Sequence, residues 1–257
     1  MMENIKEIPY GIANFVEVAE QNMYYVDKTM YLPLLEKQPR NLFFIRPRRF
    51  GKSIFLSMLR AYYDIAQKEK FQKRFGNLWI GSRPTPLQGK FQVVYLDFSA
   101  RSGGSGSLEE NFNNYCGMVM DLFGKVYEPY YFPGFAQKME EQPDFVSKLN
   151  YLNLHAAESG MRLYLIIDEY DNFTNIVLNE QGKDIYHALT HASGFYREIF
   201  KKFQRHVRAH LHDRRQPRHL GRPDQRIQHR LEYQYRLPVQ HDAGIQRNGR
   251  AHHVPIL

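Results

Sequence analysis

Apolar positions along the chain group into two periodicities. Asn41-Leu42-Phe43-Phe44-Ile45 is a compact apolar run, the pattern of a strand buried on both faces. Phe91 to Phe98 is a second such run and Arg162 to Ile167 a third. Between them the spacing changes to three and four. Ile54, Leu56, Met58, Leu59, Tyr62 and Ile65 predict a helix over 52–67. Helices are also predicted over 108–127, 144–158 and 183–203, the third of these four being closed by Gly160. A helix-like run follows Asp27-Lys28-Thr29, from Met30 to Lys37, and 102–107 is a Gly/Ser loop. Strands alternating with helices predict an α/β domain around a parallel sheet.

Two of the three strands end in residues that carry chemistry. Gly51-Lys52-Ser53 stands between the first strand and its helix, the context a phosphate-binding loop requires. Unpaired backbone amides and the helix dipole favour an anion there. In that role Gly51 admits the phosphates, Lys52 reaches their oxygens, and the Ser53 hydroxyl ligates Mg²⁺. The alternative is a basic surface turn, since the usual loop has glycine where Arg46 stands. Arg48 and Arg49 are either phosphate contacts or solvated loop charges. The third strand runs into Asp168-Glu169. This is the second ATPase pattern, an Asp that holds Mg²⁺ and a Glu that acts as general base on water. Its alternative is an acidic cap on a buried strand. Asp27 or Thr29 reads as a helix cap after a strand end; the alternative for Tyr25 to Thr29, an adenine contact, is what resemblance to related ATPases implies. Cys116, Trp79 and most of the Phe and Tyr read as core.

Composition then narrows the picture. With 43% hydrophobic residues and 14% aromatic, 257 residues can bury a sizeable core. A single cysteine excludes a disulfide framework and a multi-cysteine metal cage. The first residues, Met1 to Glu7, are too polar for a signal peptide, and no apolar run approaches the roughly 20 residues of a membrane span. The expectation is a cytoplasmic protein without a membrane partner.

The net charge of +8 suggests a polyanionic partner until it is located. Residues 205–257 hold 11 Arg, no Lys and only four acids, a net +7, which leaves +1 for residues 1–204. The same 53 residues contain 8 of the 11 His and no Ser or Thr. His206, His210 and His212 could be read as a metal site and the arginines as a nucleic-acid arm. The composition argues against both. Arg, His, Gln, Pro and Leu make up 34 of the 53 residues, and all five have codons beginning with C. Such a bias is what a GC-rich gene gives when its wobble base is read first. The expected domain is therefore 1–204, with a lead over 1–40, followed by a non-native tail over 205–257.

The motifs together resemble a known family. Arg46-Pro47-Arg48-Arg49-Phe50-Gly51-Lys52-Ser53 is similar to the loop of the bacterial predicted AAA-ATPase-like family. Ile8 to Ile12 with Phe15, Tyr25 to Thr29, Tyr95 to Ser99 and Ile167 to Asn172 agree with it as well. The resemblance covers 8 to about 204. It implies a P-loop NTPase of the additional-strand type, ATP and Mg²⁺ as ligands, and often a C-terminal PD-(D/E)XK nuclease-like domain. Applied to this chain, it places Arg48, Arg49, Phe50, Gly51, Lys52 and Ser53 on the nucleotide, Ser53 and Asp168 on Mg²⁺, and Glu169 on the attacking water. It fixes neither a protein partner nor an oligomeric state, and nucleic acid is not an expected partner of this segment.

The tail fits the same resemblance in another reading frame. Reread from the second codon base with free choice of wobble bases, 205–213 allows GMFERIFMT and 214–230 allows GVSPVTLDDLTSGFNI. The family's next strand has that pattern, so a frame change near residue 204 is expected, which the nucleotide sequence across codons 195–257 tests. As written, Arg205 to Asp213 places five Arg or His residues where a central strand belongs. Burying such groups unpaired costs kilocalories. The expectation is thus an incomplete sheet that lacks or badly fills its middle strand, an irregular or disordered tail, and Asp168 and Glu169 poorly placed against Lys52. Impaired ATP turnover would follow, with a non-hydrolysing switch or scaffold as the alternative function.

Overall fold

The computed structural model describes residues 6–38, 41–44, 50–99, 108–169 and 207–213. In chain order these form α1 (Phe15–Glu20), α2 (Leu32–Leu35), β1 (Asn41–Phe44), α3 (Lys52–Tyr63), α4 (Phe71–Phe75), β2 (Gln92–Asp97), α5 (Leu108–Tyr127), α6 (Phe135–Glu140), α7 (Phe145–Glu158), β3 (Leu163–Asp168) and β4 (Val207–Asp213). The four strands make one parallel sheet in the order β1-β4-β3-β2. The helix predicted over 183–203 and the tail beyond 213 lie outside the described residues.

The strand side chains alternate between two cores, as a pleat covered on both faces requires. Val94, Leu96, Leu163, Leu165 and Ile167 pack with Phe112, Cys116, Met120 and Phe123 of α5 and Phe145, Leu149 and Leu152 of α7. Val93, Tyr164 and Ile166 pack with Phe55, Leu59, Tyr62 and Tyr63 of α3 and with Phe15 and Phe75 of α1 and α4. The Tyr63 and Tyr164 rings stack at 5.0 Å, which locks α3 onto β3. Helix α3 is buried around most of its circumference because it lies between the sheet and the α1–α4 layer. Cys116 is fully buried, and burial pushes its thiol well above the ordinary range, as its reading as core requires. Trp79 departs from that reading, with 37% of its surface exposed beside Arg83.

Boundaries follow local chemistry. Asp144 starts α7 by accepting from the Ser147 amide at 2.7 Å, and Gly160 follows its end at φ +66°. The helix predicted over 52–67 stops at Tyr63. Asp64 turns extended there, pairs with Phe91 and accepts from the Ala66 amide and from the Tyr127 hydroxyl, both at 2.8 Å. The Tyr127 oxygen in turn accepts from the Val93 amide at 2.9 Å. One buried polar chain therefore joins the end of α3, the start of β2 and the end of α5.

Of the two expectations, a middle strand that is missing or one that is badly filled, the first is overturned: the strand is present. β4 lies between β1 and β3, pairing Asn41 with His210 and Phe44 with Asp213 on one side and Leu163 with Val207 on the other. Its physical basis is the backbone. A parallel ladder uses N–H and C=O groups, and 207–213 contains no proline. Val207, Ala209 and Leu211 also alternate with Arg208, His210 and His212, the period of a strand. The pairing is irregular at one point. Leu163 pairs with Val207 and Leu165 with His210, so β4 carries one extra residue opposite β3.

Candidate functional site

The site lies where the carboxyl ends of the parallel strands meet the start of α3. Gly51 precedes α3 at φ +70°, a left-handed conformation that glycine adopts without strain. Having no side chain, Gly51 cannot cap the first amides of the helix. Lys52 is buried to 8% exposure, and its Nζ lies 3.5 Å from Glu169 Oε1. The Ser53 side chain lies near enough to the Asp168 carboxylate to favour its charged form. The two halves predicted from separate stretches of sequence thus meet residue by residue. Asp168 and Glu169, expected to be poorly placed, stand beside Ser53 and Lys52. The pair is held by β3 between its neighbours β4 and β2, and by the Tyr63–Tyr164 stack that fixes α3 against the same strand.

Asp168 is 2% exposed and densely contacted. The Glu169 amide donates to its Oδ1 at 3.0 Å and the Tyr95 hydroxyl donates to its Oδ2 at 3.2 Å. Burial raises its pKa above the ordinary carboxylate range, against the lowering effects of Ser53 and Lys52; the neighbouring Asp97 and Glu169 charges add to the rise. Asp97 pairs in register with Asp168 at the end of β2. Glu169 itself has φ +54°, the sparsely populated left-handed region for a residue with a side chain.

Phe50 is half exposed at the loop. Arg48 and Arg49 lie outside the described residues. Asp27 closes a turn rather than capping a helix, because the N-cap position of the following 3-10 turn, Thr29–Tyr31, is Lys28. It accepts from the Thr29 amide at 2.8 Å, the Thr29 hydroxyl at 2.7 Å and the Trp79 amide at 2.6 Å. Buried Thr29 accepts from the Ile80 amide at 3.1 Å. Between those two anchors Lys28 extends to the loop, its Nζ 3.2 Å from the point a Cβ on Gly51 would occupy. Sequence reasoning gave Tyr95 and Asp97 no role at the site, and placed Lys28 there only within the Tyr25–Thr29 stretch weighed as an adenine contact. A signal existed for Asp97, because two adjacent buried strands each end in Asp. For Lys28 the signal was its place in the Tyr25–Thr29 stretch, while its approach to Gly51 depends on how the 27–29 turn is held.

Among the described residues no group of three or more His, Cys, Asp or Glu gathers to hold a metal alone. The Ser53 hydroxyl and the Asp168 carboxylate could supply two oxygen donors to a Mg²⁺ whose other ligands come from outside the protein. Residues 9–213, which end on the last residue of β4, match the family described as predicted AAA-ATPase. The chain belongs to that family. A relative within reach of its sequence is the uncharacterized protein in the vnfD 5' region of Azotobacter chroococcum mcd 1, which is 29% identical over 210 residues. The alignment covers 79% of this chain and 36% of that protein, so this AAA-ATPase-like chain spans little more than a third of its relative. No solved structure matches it. Among the described residues, no helix is long and apolar enough to cross a membrane.

Proposed function

We propose that the domain is a P-loop NTPase that binds ATP with Mg²⁺ at the start of α3 and hydrolyses it. The observation that carries this reading is the meeting of Lys52 and Ser53 with Asp168 and Glu169 at one end of a parallel sheet. Lys52 and the first amides of α3 would hold phosphate oxygens. Ser53 and Asp168 would hold Mg²⁺, which supplies charge neutralisation on those oxygens. Glu169 would take a proton from the attacking water, and Tyr95 and the Glu169 amide would keep the Asp168 carboxylate oriented. Burial favours the chemistry, since charges at this site interact through little solvent. In single-turnover assays Glu169→Gln is expected to slow hydrolysis by about 100-fold or more while ATP binding is kept. Equal rates for the variant and the wild type would refute Glu169 as the base.

A second reading is a nucleotide-gated switch with little turnover. The Lys52–Glu169 pair favours it, because a glutamate engaged by the loop lysine is not free to activate water. Phosphate that draws Lys52 away would release Glu169. Under this reading ATP changes the environment of Glu169 while single-turnover hydrolysis stays at background in the wild type.

A further inference from the structure

We propose that Lys28 is a second phosphate-binding cation of the nucleotide site, supplied from outside the loop. The proposal rests on the ATP-binding reading and deepens it. Lys28 Nζ lies 3.2 Å from where a Gly51 Cβ would stand, so the absent side chain of Gly51 leaves room for an ammonium group at the start of α3. The positioning is built rather than accidental. Asp27 is tied to Trp79, and Thr29 to Ile80, by hydrogen bonds more than fifty residues apart in sequence. These clamps hold the backbone on both sides of Lys28, while its own side chain is only half-buried. A flexible lysine is thereby delivered to one place with little further ordering needed. The helix start favours negative charge, and an ammonium set against its glycine adds a second donor to that of Lys52. The chemistry selected is a polyphosphate chain: two lysines from separate elements, together with helix amides, suit several adjacent anionic oxygens better than one.

The test compares affinities for ATP, ADP and adenosine in the presence of Mg²⁺, for the wild type, Lys28→Met, Lys28→Arg and Lys52→Ala. Lys28→Met is expected to weaken ATP binding about tenfold or more, the effect of one lost charge-assisted contact. Adenosine binding is expected to stay unchanged and Lys28→Arg to retain most of the ATP affinity. A purely structural lysine would not separate ATP from adenosine in this way. If Lys28→Met binds ATP like the wild type while Lys52→Ala has lost it, the Lys28 proposal fails and the ATP reading stands. If neither substitution alters ATP binding, the ATP reading fails with it. Should Lys28→Met not fold, acetylation footprinting of the wild type decides. MgATP slowing acetylation of Lys28 supports the proposal; an unchanged rate at Lys28 with Lys52 protected overturns it.

Discussion

Asp168 shows how the site sets its residues against the stability of the fold. Its carboxylate is buried beside Asp97 and Glu169, and burial raises its pKa despite Ser53 and Lys52. The folded state therefore holds this proton more tightly than the unfolded chain. Below the unfolded pKa both states are protonated and nothing is lost. As pH rises through the carboxylate range toward the raised folded value, the folded state is increasingly disfavoured. Asp168→Asn removes that burden. Its apo thermal midpoint is expected to exceed the wild type's by about 2–4 °C at pH 7, equivalent to about 1 kcal/mol in a domain of this size. Thermal scans between about pH 4 and 8 should show the gap widening with pH and then levelling. A gap that narrows as pH rises would contradict this account. The same variant is expected to lose Mg²⁺-dependent ATP binding. At this scale the sequence was informative where a motif sat on a buried strand: Lys52, Ser53, Asp168 and Glu169 could be named because their neighbours fixed their context. Tyr95 and Lys28 reach the site through tertiary contacts, which no local pattern encodes.

Among the elements, length decided what could be read. The strands at 41–44, 92–97 and 163–168 and the helices at 108–127 and 145–158 have enough turns or pleats to show their period. Helices α1, α4 and α6 have only five or six residues each, too few repeats of 3.6 to stand out. Helix α3 was read four residues too long because Ile65 continues the apolar pattern past Asp64, where the backbone turns extended. β4 differs for another reason: its arginine and histidines predict a missing or badly filled central strand, whereas ladder pairing uses backbone groups that those residues also possess. Leu211→Pro tests this directly, since Leu211 pairs with Leu42 on one side and Ile166 on the other, and proline removes its N–H and fixes φ. The expected outcome is a loss of about 3 kcal/mol or more in unfolding free energy by denaturant titration, with loss of ATP binding. A variant as stable as the wild type would show that β4 does not pair on both sides.

For the whole molecule, the sheet order explains why the site exists. β1 leads toward the loop, β3 carries the acid pair, and β4 between them sets their spacing. Helices on both faces then bury Asp168 and most of Lys52, which makes their charges matter. The net charge of +8 belongs mainly to residues 205–257, so the domain bearing the site carries no basic surplus that would favour a large polyanion. The family match over 9–213 agrees with a nucleotide as the ligand to test first. The alternation of strands and helices was legible from the sequence; the parallel order β1-β4-β3-β2 was legible only up to its middle strand, where composition masked a backbone pattern. If the start of α3 and the end of β3 form one ATP site, titration of the chain with ATP and Mg²⁺ gives saturable binding in the wild type, weakened by at least about tenfold in Lys52→Ala, whose loop loses its buried cation. Equal affinities of the two proteins would sink a shared site.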